Sequence, residues 1–220
     1  SLSRKTVIQQ DPKAKLLGLL GQDNLKFQQN INAILKKLRP LMHSFRHANK
    51  YLPLNTMTQL YYTHAFPHRI RDISIWGSND ASKTYLQPLI TAQKHLVRLV
   101  RNVPPGTHTK PIMAQLQILN ITSLYIHRVC VEMHPFIHPS KPLNRPEHNH
   151  NYTPVSAIHD HATRYATAKH QYISDTAEHF AAKHTAVWNT VPLEIRCLTT
   201  LTTFKQTLKL YLLEKQNNEQ

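Results

Sequence analysis

The chain has 220 residues, with 27 Lys and Arg against 12 Asp and Glu, giving a formal charge of +15 and a pI near 10.0. Only four glycines are present, which argues against a dinucleotide-binding βαβ domain, a phosphate-binding P-loop or a turn-rich β-sandwich. No apolar run approaches the roughly 18 residues that a membrane span needs, so no membrane contact is expected. The opening Ser1-Leu2-Ser3-Arg4-Lys5-Thr6 has neither an apolar signal segment nor an initiator Met. The chain therefore reads as intracellular, in nucleus or cytoplasm, and as the tail of something longer.

In chain order, Ala14 to Leu20 is short and apolar between Pro12 and Gly21, which predicts one buried strand whose partners lie elsewhere. Phe27, Ile31, Ile34, Leu35, Leu38, Leu41, Met42 and Phe45 recur at three- and four-residue steps and predict an amphipathic helix. Asp23 or Asn24 is its expected N-cap, and Pro40 its expected kink or break. Lys36, Lys37, Arg39, Arg46, His47 and Lys50 fall on the opposite face.

Pro53 opens a third stretch, with Leu54, Met57, Leu60, Tyr61 and Ala65 on one face; Ile70, Ile73, Ile75 and Trp76 extend it to Gly77. A helix from Tyr85 to Val100 turns Leu86, Leu89, Ile90, Gln93, Leu96, Val97 and Val100 inward and Lys94, His95, Arg98 and Arg101 outward. Pro88 belongs in its first turn or bends it. Two helices follow, near Pro111–Leu119 and Thr122–Met133. Five prolines between Pro135 and Pro154, among His and Asn, predict a flexible connector. A closing helix from about Thr202 has Phe204, Leu208, Tyr211 and Leu212 inward and Lys205, Lys209 and Lys215 outward.

The chemistry-bearing patterns are sparse. Two-metal phosphoryl transfer needs converging carboxylates, but the 12 acids are scattered and the nearest pair, Asp175 and Glu178, fits a solvated helix face. His148 with His150, and His159 with His161, lie in or beside the connector rather than on a rigid frame with four ligands. Cys130 and Cys197 read as buried or idle thiols. The basic faces remain. Lys36, Lys37, Arg39, Arg46 and Lys50 on one helix, and Lys94, Arg98 and Arg101 on another, have the pattern of nucleic-acid backbone contacts.

The ordered motifs resemble one family. Leu16-Leu17-Gly18 with Asp23 is similar to the strand that closes the palm of non-LTR (LINE-type) reverse transcriptases. Lys50-Tyr51-Leu52-Pro53-Leu54, Leu60-Tyr61-Tyr62 and Phe66-Pro67-His68 resemble the helices after that palm, and Ile75-Trp76-Gly77 its W-G turn. Leu86-Gln87-Pro88-Leu89 with Gln93-Lys94 and Arg98 resembles the family's L-x-P-L-x-x-x-Q-K-x-x-x-R helix. Thr107-His108-Thr109-Lys110-Pro111, Leu116 to Leu119, Thr163-Arg164, Trp188-Asn189, Pro192, Glu194-Ile195-Arg196 and Phe204-Lys205 with Leu208-Lys209 follow in the family's order. The likeness spans about residues 14 to 213, and the chain resembles most the clades that carry an N-terminal endonuclease and no terminal zinc knuckle, jockey-like elements among them.

The resemblance implies the C-terminal, thumb and post-thumb part of such a polymerase, gripping RNA and RNA–DNA duplex beside the palm and fingers of the same polyprotein. The family's Tyr-x-Asp-Asp does not occur here, so no catalytic residue carries over. The chain holds no cofactor, and Mg²⁺ would belong to the palm. His161 replaces the family's tyrosine, and Ala181-Ala182-Lys183-His184 replaces its aromatic and glycine-rich stretch, as in a degenerate copy. The expected fold is mainly α: a helical thumb-like bundle with a short N-terminal β remnant and a helical C-terminal region joined by a Pro/His-rich loop. Its parts are the palm-strand remnant (1–22), the thumb (23–103), linking helices (104–134), the connector (135–157) and the C-terminal helices (158–220). A helical protein-interaction module and an inert remnant of the element are the alternatives.

Overall fold

A computed structural model describes residues 13–16, 19–22, 27–77, 83–138, 152–154, 170–172 and 179–218, and the fold is mainly helical. The first segment differs from the single strand expected. Strand β1 (Lys13–Leu16) pairs antiparallel with β2 (Leu19–Gln22), so the partner is local. A second short ladder joins β3 (Tyr152–Pro154) to β4 (His170–Tyr172). The remainder of the connector from residue 139, with His148, His150, His159 and His161, lies outside the described residues, as do Asp175 and Glu178.

Helix α1 (Gln28–Ala48) buries Ile31, Ile34, Leu38 and Phe45, the centre of its apolar stripe. Its N-cap position is Phe27, not Asp23 or Asn24, which fall outside the described residues; Phe27 sits in the left-handed region at φ 52° and supplies no capping side chain. Pro40 does not break α1. The carbonyl it leaves without an intrahelical donor belongs to Lys36, and both residues are exposed, so water can serve that oxygen.

The next run is α2 (Leu54–Leu60), a π-helical turn over Tyr61–Ala65, and α3 (Phe66–Ile70). Within the π turn the Phe66 N–H reaches back to Tyr61 O, one residue farther than an α-helical bond, and the chain enters Pro67 with no break. Met57, Tyr61 and Ala65 are buried as the pattern predicts, whereas Leu54 is exposed. The short α4 (Ile73–Trp76) buries Ile73 and Trp76.

Helix α5 (Lys83–Arg101) accommodates Pro88 in its second turn, again on an exposed face. Helix α6 (Thr109–Gln115) starts and stops earlier than expected, and α7 (Ile121–Ile137) continues through Pro135. With so few glycines, other residues take the left-handed positions at helix ends. Asn102 at φ 55° lets Val103 N–H reach Arg98 O, and Gln117 at φ 53° lets Ile118 N–H reach Met113 O, the six-to-one bond of a Schellman cap. Helix α7 starts on a true cap, with Asn120 Oδ1 accepting from Ser123 N at 2.7 Å.

The chain ends with α8 (His179–Asn189), α9 (Leu193–Arg196) and α10 (Leu201–Asn218). Phe204, Leu208 and Leu212 are buried; Tyr211 is half-buried. Lys209, expected outward, is half-buried with its Nζ 5.9 Å from the Tyr62 ring centre. The buried apolar residues form one cluster from Phe27 on α1 through Trp76 and Val129 to Trp188 and Leu213.

Candidate nucleic-acid interface

Helices α1 and α5 carry the predicted basic residues, and they pack along each other in the same direction. Asn49 Nδ2 donates to Leu99 O at 3.2 Å where both helices end. One turn earlier, Arg46 and Arg98 both lie close enough to His95 to push its pKa down, after the larger effect of burial. Farther back, Arg39 and His95 edge an open groove floored by Leu35, Met42, Pro88 and Ala92. The shared apolar seam thus brings the exposed flank of α1, with Arg39 and Arg46, beside the exposed face of α5, with Lys94, Arg98 and Arg101. Lys50 extends that flank in the turn after α1.

Two predicted residues do not join this face. Lys37 is on the other flank of α1, where it lowers the pKa of His68 on α3 after burial does so. Lys36 points outward between the flanks, exposed like Pro40. The eight candidates therefore divide into a ridge of Arg39, Arg46, Lys50, Lys94, Arg98 and Arg101, and two residues off it.

Among the described residues no carboxylate pairs with Arg39, Arg46, Lys94 or Arg101 of the ridge. Residues 24–71 and 81–131 contain no Asp or Glu; between 24 and 131 there are 14 Lys and Arg against Asp72 and Asp80, so 14 − 2 = +12 of the total +15 arises there. Asp72 is taken by Arg71 at 3.7 Å. Arg128, on α7, pairs within its own helix with Glu132 at 2.6 Å. Arg39, Arg46, Lys94 and Arg101 have no ion-pair partner among the described residues. Like charges held side by side repel, and the repulsion is relieved when a polyanion displaces its counterions onto them.

Three residues at or near this face escaped the sequence reading of the site. Lys110 on α6 continues the basic surface beyond Lys94 and Arg98, and His108 stands beside it. Gln93, expected inward, is fully buried, but its Oε1 accepts no hydrogen bond among the described residues. The acid-free stretches in the sequence signal where the charge collects; nothing in the sequence signals the unsatisfied amide. Elsewhere, burial pushes the Cys130 thiol up to about 12, which makes it inert. Cys197 is exposed. Among the described residues no cluster of His, Cys, Asp and Glu could hold a metal, and no helix is long and apolar enough to cross a membrane. No protein family, curated protein or solved structure matches the chain.

Proposed function

We propose that this chain is the thumb and post-thumb part of a LINE-type reverse transcriptase, and that it holds RNA template and RNA–DNA duplex through the ridge formed by α1 and α5. The observation that carries the reading is a set of cations on two helices that run side by side in the same direction, within stretches of sequence (24–71 and 81–131) that contain no Asp or Glu. The order of motifs from Leu16 to Lys209 supports the family. With no Tyr-x-Asp-Asp in the sequence, the work is positioning rather than phosphoryl transfer: backbone contacts fix the register of a duplex and leave its sequence unread.

The test is fluorescence anisotropy of a labelled RNA–DNA duplex with the full chain. About five phosphate contacts predict a log–log salt slope of about −4.5, hence an affinity loss of about 500-fold between 50 and 200 mM salt. Arg39→Glu/Arg46→Glu/Lys94→Glu/Arg101→Glu should reduce affinity more than 100-fold and flatten that slope, while Lys205→Glu on α10 should change it little. Equal binding by the fourfold variant, or binding indifferent to salt, overturns the reading. One observation favours a protein-interaction module instead: Tyr51, Leu52 and Leu54 are 83%, 38% and 40% exposed in the α1–α2 turn. If that turn is the working surface, Tyr51→Ala/Leu54→Ala abolishes partner capture and leaves duplex binding intact. The apolar segment Leu16 to Leu20, which would have faced the palm, has its side chains outside the described residues.

A further inference from the structure

Beside the ridge lies a cleft of about 320 Å³ between α5, α6, the start of α7 and the last turns of α10. That size is at the small end of clefts that hold a ligand, roughly 300 to 1,000 Å³. Its chemistry has two poles. Lys94, Arg98 and Lys110 line one side, and no acidic residue among the described residues lines it. Arg98 is anchored, its Nε donating to Thr107 O at 2.8 Å, so its terminal amino groups are held at the rim. Helix α7 begins here. Asn120 caps the Ser123 N–H, leaving Ile121 and Thr122, both in the lining, as the first N–H groups of a 17-residue helix whose dipole favours an anion. The wall behind is fixed, because Gln216 Oε1 accepts from Asn120 N at 3.0 Å and its Nε2 donates to Ile118 O at 3.1 Å.

The second pole is Gln93, fully buried and part of the same lining. Its Nε2 donates to Leu119 O at 2.7 Å, which sets the orientation of the amide and leaves Oε1 an acceptor with no donor among the described residues. Buried acceptors in folded proteins are nearly always satisfied, so this one asks for an O–H or N–H from outside. An inorganic phosphate meets the first pole but brings little to the second. A nucleotide meets both, with its phosphate at the cations and a ribose hydroxyl or base amine at the amide oxygen.

We propose that this cleft binds one nucleotide unit, phosphate toward Lys94, Arg98 and the start of α7, and a sugar or base donor toward Gln93 Oε1. The proposal rests on the reading of the adjoining ridge as a nucleic-acid surface, of which the cleft is the edge. The ligand is either the end of a bound strand or a free nucleotide.

Isothermal titration of the full chain with AMP tests it. AMP should bind saturably at one site, and inorganic phosphate at least tenfold more weakly. Thr122→Trp places a large ring at the exposed rim without entering the core and should weaken AMP at least tenfold. Lys205→Glu, away from both cleft and ridge, should leave AMP and duplex binding unchanged, while Arg39→Glu should weaken duplex binding. Helical ellipticity equal to the parent's establishes that each variant folds. Displacement by AMP of a 5′-phosphorylated single-stranded RNA identifies the strand end as the ligand; failure to displace it identifies the free nucleotide. Absence of AMP binding, equal binding of AMP and phosphate, or full binding by Thr122→Trp overturns the proposal. Duplex affinity measured on the same samples separates the two readings, since it follows Arg39 and Arg46 whatever the cleft does.

Discussion

Gly77 is required by space, not by its backbone angle, which at φ −85° suits any residue. A Cβ there would lie 2.5 Å from Ile73 O and 2.9 Å from Tyr125 Cδ2, and neither the carbonyl of α4 nor the buried ring on α7 can withdraw. Gly77→Ala should therefore cost about 1–3 kcal/mol, read as a lower urea midpoint at unchanged slope. Arg69 presents the opposite problem, a cation in a space built for apolar groups. It is fully buried, its guanidinium 4.7 Å from the Tyr61 ring centre, with Nη2 bonded to the Tyr61 hydroxyl and Nε and Nη1 without partners among the described residues. Tyr61→Phe alone removes that one partner and should cost about 1–3 kcal/mol. Tyr61→Phe/Arg69→Met removes both ends of the bond and the charge together, so it should be at least as stable as the parent. A double variant less stable than Tyr61→Phe would show that the guanidinium stabilises the fold. Neither residue's role was legible in the sequence: the pattern marks Tyr61 as inward, but nothing marks Arg69 as joining it.

Helices α1, α5 and α10 were legible as elements because each has one apolar stripe, and a stripe at a 3.6-residue period needs a helix to gather it. Their ends were less so. The left-handed Phe27 and Gln117 are conformations that tertiary packing imposes and no residue preference announces, whereas Asn102 is the kind of residue that takes such a position readily. The seam between α7 and the C-terminal elements was not legible at all, since its bonds run from imidazoles to backbone carbonyls. His127 Nε2 meets Lys205 O at 3.2 Å, His134 Nε2 meets Leu198 O at 2.7 Å and His138 Nε2 meets Arg196 O at 2.7 Å. Burial lowers the pKa of His127 and His134; the carbonyl bonds oppose this, and Lys205 adds to the lowering at both, with Lys209 acting on His127 and His138 on His134. The unfolded chain therefore takes up protons first as pH falls from the ordinary value of 6.5. Stability is complete above that pH and declines as pH drops toward the lowered folded values. Thermal melting by circular dichroism should give a flat melting temperature from pH 8 to about 7 and a falling one from about 6.5 to 5. His127→Gln/His134→Gln should flatten the acid limb; a limb of unchanged slope in that variant would place the titration elsewhere.

For the molecule as a whole, sequence and structure divide the information differently. The charge excess and the helices that carry it are visible in the residues. Which cations meet is not, because that depends on the α1–α5 crossing, and it separates Lys36 and Lys37 from Arg39 and Arg46 although all four lie on one helix. The core poses the same question at larger scale. The sequence breaks near Pro104 and Pro135 suggest separable parts, yet the buried cluster passes without interruption from α1 to α10. Trp76 and Trp188 sit in it at 1% and 0% exposure, one before α5 and one after the connector. His184 ties the same two regions, its Nε2 meeting Ser74 O at 3.0 Å, and the Trp188 ring stacks 5.5 Å from Phe204 on α10. Apolar surface shared by two regions couples their unfolding, since neither can open without exposing the other's half. Trp76→Phe and Trp188→Phe each leave one fluorescent reporter, so the regions can be followed singly. In each variant the urea transition reported by the remaining tryptophan should coincide with the loss of helical ellipticity, whatever the change in midpoint between variants. A C-terminal region that stood apart would give a Trp188 signal that changes at a different denaturant concentration from the ellipticity of α1 and α5, and the single core would then be two.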